Sequence, residues 1–250
     1  MTDSAPTALE GEHTPAAVSA RLGRSGVSYL SDWVLGAIDG AVTTFAIVAG
    51  VLGAGLSAGV VVVLGVANLL ADGLSMAASR YLGAQAELER RAHARRRELH
   101  HITVVPDGER EEVRQLLETK GFNGDDLEQA VQVITADQEG WIEFMLTEEL
   151  GFAPQPDRPL GAAVATLLGF ILCGLLPITP FIIDATAGDV IRPEAWSAGL
   201  TAAAFALVGA LKGHLVGLAR LPSALKTLSV GGTAATLAFL VGYILRDLAT

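Results

Sequence analysis

The chain has 250 residues, of which 51% are hydrophobic and 18% charged, and its formal net charge is −10. That acidic balance is unsuited to a phosphate backbone and argues against nucleic-acid partners. A single cysteine, Cys173, leaves neither a disulfide framework nor a zinc-finger site.

Residues 1–26 are rich in Ala, Ser, Thr, Pro and Gly without apolar periodicity, and are expected to form a disordered tail. They lack a basic segment followed by an apolar one, so no cleaved signal peptide is expected. Residues 27–83 hold two apolar runs, each long enough to span hydrocarbon, that meet at a Gly/Ser/Ala turn near Gly53–Gly59. Asp39 lies inside the first run and Asp72 inside the second. A carboxylate at that depth costs several kcal/mol (about 2.5–3.5 on insertion scales), so it normally faces a cavity, a partner or an ion path.

Helical spacing puts Asp32, Gly36, Asp39 and Thr43 on one stripe of the first span, and Asn68, Asp72 and Met76 on one stripe of the second. The short turn makes the two spans antiparallel neighbours. With the shared membrane face near Trp33 and Leu82, Asp39 is expected level with Met76, and Thr43 level with Asp72. Hard oxygens with one thioether along a seam suit a first-row transition metal better than magnesium or calcium. The plainer reading is that Asp39 caps a kink and that Met76 only packs. Gly36-x-x-x-Gly40 offers a close helix contact beside Asp39.

Residues 84–158 are polar, highly charged and helical in pattern, with breaks expected at Val105–Gly108, Lys120–Gly124 and Pro154–Pro159. Between residues 83 and 159 nine Lys/Arg face seventeen Asp/Glu, so most of the net negative charge sits in one insertion. Its arginines cluster at 90–97, continuing the second span as a long helix. Glu98 and His101 are three apart, as are Glu109 and Glu112, and Met145 and Glu149 are four apart. Each pair projects from one helical turn, a natural arrangement for gripping Fe2+, Mn2+, Co2+ or Zn2+. Acidic pairs at this spacing also decorate ordinary solvated faces.

Three further apolar runs follow in residues 159–250, at about 160–183, 197–219 and 225–245. Pro177 and Pro180 should bend the first of these. Gly209, Gly213 and Gly217 recur every four residues in the second, a face for close packing, and Lys212 near its end is expected to snorkel. Basic residues fall at Arg21, Arg24, Arg90–Arg97, Arg220 and Lys226 on one side, against Arg192 and Arg246 on the other. The N-terminus and the insertion are therefore expected in the cytosol and the C-terminus opposite.

DGAVTTFAIVAG at 39–50 and ANLLADGLSMAASRYLGAQAE at 67–87 resemble the vacuolar iron transporter family, a likeness that runs from about Ser31 to the C-terminus. The resemblance implies export of Fe2+ from the cytosol, a homodimer with the pore at its two-fold interface, and roles for Asp39 and Met76 in the translocation path. It implies a metal-binding role for Glu98, His101, Glu109, Glu112, Met145 and Glu149. Many members carry a glutamate where this chain has Asn68 and at His101, and a second methionine at Leu146.

The sequence thus predicts an all-α protein: a five-span transmembrane bundle with a helical cytosolic metal-binding domain between spans 2 and 3. The expected transport path is Asp39, Thr43, Asn68, Asp72 and Met76, the lipid bilayer and divalent metal ions are the expected partners, and no organic cofactor is expected. There is no GxxxxGK[ST] or HExxH, which argues against ATP-driven transport and metalloenzyme chemistry and favours proton exchange. The alternatives are efflux of Mn2+, Co2+ or Zn2+, and a membrane-anchored metal buffer or sensor that moves nothing.

Overall fold

The computed structural model describes residues 13–22, 28–153, 158–188 and 190–249. All the regular elements among them are helices: α1 Pro15–Leu22, α2 Leu30–Gly53, α3 Ala58–Val104, α4 Pro106–Thr119, α5 Gly124–Thr135, α6 Gln138–Glu148, α7 Pro159–Ala187, α8 Pro193–Leu215 and α9 Arg220–Ala249. The chain divides into two compact units, one of Tyr29–Ala86 with Arg158–Thr250, the other of Met1–Ser28 with Glu87–Asp157.

Part of the expected tail is helical. Pro15 occupies the first turn of α1, where a missing N–H costs nothing, and Thr14 Oγ1 accepts from Ala17 N at 3.3 Å as its cap. The remaining residues to 26, Arg24 among them, lie outside the described residues, as does part of the Pro154–Pro159 break.

Five helices are long and apolar enough to cross a membrane: α2, α3, α7, α8 and α9. Their outward faces would be untenable in water. Val63, Leu70, Leu74, Leu207 and Ile244 are each more than half exposed. A solvent-facing apolar surface of that extent needs lipid or protein against it.

The first unit is knit by small residues that let backbones approach. A Cβ on Gly36 would collide with the Thr166 carbonyl of α7, and one on Gly40 with the Phe170 backbone. Gly169 and Gly174 of α7 reciprocate against Trp33 and Gly40 of α2. The expected Gly36/Gly40 contact is therefore made, and its partner is α7. Gly65 and Gly73 set α3 against Ile178 and Phe170 of the same helix. Val48, Val51, Val61, Leu69, Phe170, Ile178 and Phe181 fill the space between these three helices.

The proline-bearing α7 runs unbroken through Pro177 and Pro180. Hydroxyls take up carbonyls in this stretch: Thr179 Oγ1 donates to Leu175 O at 2.7 Å, and Ser197 Oγ of α8 donates to Pro177 O at 2.6 Å. These bonds tie the proline-bearing stretch to itself and to α8. Gly209 and Gly213 pack on Ser223, Ala224 and Thr227 of α9. Gly217 does not belong to that face. It lies beyond the end of α8 with φ +68, in open space, where a turn requires the left-handed region.

The second unit folds around its own core of Val113, Leu117, Leu127, Val131, Trp141, Ile142, Met145 and Leu146. The apolar stripes of α4, α5 and α6 supply it, as their 3.6-residue patterning dictates. Asp137 caps α6 by accepting from Gly140 N at 2.8 Å. The arginines at the end of α3 clamp the unit: Arg91 pairs with Glu143 at 2.6 Å and donates to Ala153 O at 2.7 Å, and Arg95 pairs with Glu139.

A carboxylate seam in the membrane unit and an acidic cluster in the insertion

The turn Ala54–Ser57 returns the chain so that α2 and α3 run antiparallel, and two polar cross-links fix their register. At one end Arg80 Nε donates to Asp32 Oδ1 at 2.5 Å, with the Asp32 side chain only 9% exposed. Near the other, Asn68 Nδ2 donates to Thr43 Oγ1 and to Thr44 Oγ1, each at 3.2 Å. Counting equal helical rise inward from both contacts places Asp39 level with Asp72–Gly73, and Met76 level with Leu35–Gly36. The carboxylate of Asp72 lies within Coulomb range of Asp39.

This corrects the expected levels. Asp39 faces Asp72 rather than Met76, and Thr43 faces Asn68 rather than Asp72, a displacement of one turn, about 5 Å. Trp33 and Leu82 do not share a level: the Asp32–Arg80 pair and the ends of the two helices at Gly53 and Ala58 set a register about one turn away from that one. Arg80 was not singled out in the sequence, yet it stands four residues beyond Met76 on the Asn68–Asp72–Met76 stripe. That spacing is the signal that could have found it.

Within the seam, Thr43 Oγ1 donates back to Asp39 O at 3.0 Å. Asn68 spends its amide protons on two hydroxyls, leaving Oδ1 without a hydrogen bond among the described residues. Asp39 and Asn68 are half-buried and Asp72 is exposed on the single chain. Met76 packs against the apolar cluster between α2, α3 and α7. The seam presents two carboxylates and an amide oxygen at neighbouring levels.

In the insertion the structure gathers Glu98, His101 and Glu109. One ligand atom from each lies within 4.8 Å of the others. Glu98 and His101 come from successive turns at the end of α3, and Glu109 from the first turn of α4, brought back by the sharp break at Val105. Glu98 is 1% and Glu109 2% exposed, an unusual depth for carboxylates. His101 Nδ1 stands 3.2 Å from Glu109 Oε1, while Glu109 Oε2 is buried with no hydrogen-bond partner. A buried, unpaired oxygen on a carboxylate that belongs to a carboxylate–imidazole group has the chemistry of a divalent-cation ligand.

Burial, then the charges of Glu112 and Glu98, push the Glu109 carboxyl above the usual glutamate range, with His101 acting the other way. Burial, Glu98 and Glu112 do the same to Glu149, against Arg97 and His101. Glu112 and Glu149 stand outside the close triad and line one cleft with Gln115, Leu116 and Thr119. Glu149 caps the C-terminus of α6, its N–H bonded to Met145 O at 3.1 Å. Met145 itself is fully buried in the apolar core.

Five helices long and apolar enough to cross a membrane define a polytopic helical membrane protein. The family model described as VIT family matches residues 30–243, and the chain belongs to that family. It is 31% identical over 216 residues to Vacuolar iron transporter 1 of Arabidopsis thaliana, covering 86% of this chain and 85% of that relative. It is 32% identical over 209 residues to Vacuolar iron transporter 2 of Oryza sativa subsp. japonica, covering 83% and 84%. It is 33% identical over 226 residues to the Vacuolar iron transporter of Toxoplasma gondii, covering 87% and 74%.

Proposed function

We propose that this protein carries Fe2+ out of the cytosol in exchange for protons, along the seam formed by Asp39, Thr43, Asn68, Asp72 and Met76. The observation that carries the reading is the register of α2 and α3, which puts the carboxylates of Asp39 and Asp72 at one level. A divalent ion leaving water for a low-dielectric interior needs about two negative charges beside it. Two facing carboxylates in turn need a cation between them, which either Fe2+ or protons supply. Exchange of one for the other is the simplest cycle such a seam supports. Thr43, the Asn68 amide oxygen and the Met76 thioether are further donors. Membership of the VIT family, with relatives named iron transporters, selects iron among the metals this donor set suits.

Glu98, His101, Glu109, Glu112, Met145 and Glu149 form the cytosolic metal-collecting site of this scheme. The orphaned Glu109 oxygen supports it for the close triad; Glu112, Glu149 and Met145 join by small side-chain movement on loading. The distribution of basic residues supports a cytosolic insertion and N-terminus with the C-terminus opposite. The exposure of Asp72 on an otherwise apolar face supports a second copy of the chain against that face, as a homodimer.

Metal uptake into proteoliposomes, with Fe2+ compared against Mn2+, Co2+ and Zn2+, tests the ion. Preferential flux of Fe2+ is expected. Equal flux of all four metals would replace the iron reading with a general divalent-metal exporter, and binding without flux would leave a membrane-anchored buffer.

A further inference from the structure

We propose that Arg97 is the resident counter-cation of the metal-free acidic cluster and sets how tightly that cluster holds a divalent ion. The inference rests on reading Glu98, His101 and Glu109, with Glu112 and Glu149, as a metal site.

Glu98 is almost wholly buried, and a carboxylate left unpaired at that depth is costly. Its charge is met by Arg97, whose Nε and Nη2 both lie 3.2 Å from Glu98 Oε1. Adjacent residues on a helix diverge by about 100° and do not stack on one another. The contact is therefore not a by-product of α3: the Arg97 side chain, 48% exposed, turns back onto its neighbour. Arg90, Arg91 and Arg95 of the same stretch behave differently. Arg91 and Arg95 reach across to Glu143 and Glu139 of α6 and hold the two helices together, and Arg90 pairs with Glu87 one turn away on α3. Arg97 alone among them serves a carboxylate of the cluster, and its field also favours the ionised form of Glu149.

This position has a consequence for loading. An ion bound through Glu98 Oε1 takes the place the guanidinium occupies, so Arg97 must swing to solvent, for which its exposure leaves room. The ion pair is lost, and a positive charge remains within a few ångströms of the metal. Both effects weaken binding and hasten release. They act in the direction needed by a site that hands its ion on rather than storing it.

The test is Mn2+ titration calorimetry, repeated with Fe2+ under anaerobic conditions, on the full-length protein in detergent. Arg97→Gln and Arg97→Ala should each tighten binding about tenfold, equivalent to ~1.4 kcal/mol. The gap should narrow at high ionic strength, since the guanidinium is half exposed and its field is screened. Arg97→Lys, which keeps the charge, should bind like wild type. Structural damage would weaken binding, so the sign separates the two explanations. A Kd unchanged or raised in both neutral variants would overturn the proposal. Glu98→Gln/Glu109→Gln supplies the control. If it leaves the titration untouched, the cluster is not where the ion binds, and the proposal falls with the site. If it removes binding while Arg97→Gln leaves the Kd unchanged, the role of Arg97 alone is wrong.

Discussion

Asp32 and Arg80, on neighbouring helices, form an ion pair of 2.5 Å at one end of the α2–α3 seam, with the Asp32 carboxylate largely out of solvent. Removing the acid leaves a guanidinium in a partly desolvated place. Asp32→Asn should destabilise the protein by roughly 2 kcal/mol, less than the roughly 3–5 of a fully buried pair because the Arg80 side chain is 29% exposed. Thermal melting in detergent measures this, and a variant melting with wild type would show that other contacts set the register.

The register bears directly on Asp72. If Asp72 supplies the second negative charge at the level of Asp39, Asp72→Asn should reduce Fe2+ flux in proteoliposomes by at least tenfold. Asn68→Glu in that background should restore part of it, since the charge returns one turn along the same stripe. Unchanged flux in folded Asp72→Asn would remove this residue from the path. A loss that Asn68→Glu cannot repair would assign Asp72 a structural role.

Glu109 links the acidic cluster to pH. Its carboxyl is held above the ordinary glutamate value of 4.5 by burial and neighbouring carboxylates. The folded metal-free protein therefore binds more protons than the unfolded chain between 4.5 and the raised value, and its stability falls as pH rises through that window. Glu109→Gln should stabilise the metal-free protein at neutral pH, because it removes the charge that burial, Glu112 and Glu98 penalise, and flatten the pH dependence. The same variant should lose metal affinity. Circular dichroism melts from pH 5 to 8 give the answer, and a variant less stable than wild type at neutral pH would contradict it.

Close packing of α2 on α7 yields a sharper contrast between glycines. A Cβ at Gly40 would strike the Phe170 backbone, whereas one at Gly199 or Gly232 meets nothing within 4 Å. Gly40→Ala should cost about 1–3 kcal/mol or more through overpacking. Gly199→Ala should be neutral or gain up to about 1 kcal/mol from helix propensity. Melting temperatures of the two single variants decide this, and equal effects would mean the backbones can part freely.

The five apolar runs, the length of α3 and the helical breaks in the insertion were legible because hydropathy and proline placement act locally. The Glu98–His101 pairing was legible for the same reason, being one turn of one helix. Register was not. The levels of Asp39, Asp72 and Met76 depend on where α3 starts after the Ala54–Ser57 turn and on a contact between residues as distant in sequence as Asp32 and Arg80. Gly217 matched the spacing of Gly209 and Gly213, yet only its positive φ shows that it ends a helix rather than lining one. Met145 stands at ligand spacing from Glu149, but periodicity does not reveal that its side chain is fully buried in the apolar core in the metal-free protein.

The exchange cycle requires Asp39 to carry Fe2+ and protons in turn. It is tested most directly by Fe2+ flux in proteoliposomes under an imposed pH gradient, with a pH-sensitive dye in the lumen, for wild type and Asp39→Asn. Wild type should move Fe2+ faster when the gradient drives protons the opposite way, with the dye reporting matching proton movement. Asp39→Asn should abolish both signals while the full-length variant still binds Mn2+ at the acidic cluster. Flux in Asp39→Asn at the wild-type rate, or wild-type Fe2+ movement indifferent to the gradient, would rule out proton exchange at Asp39.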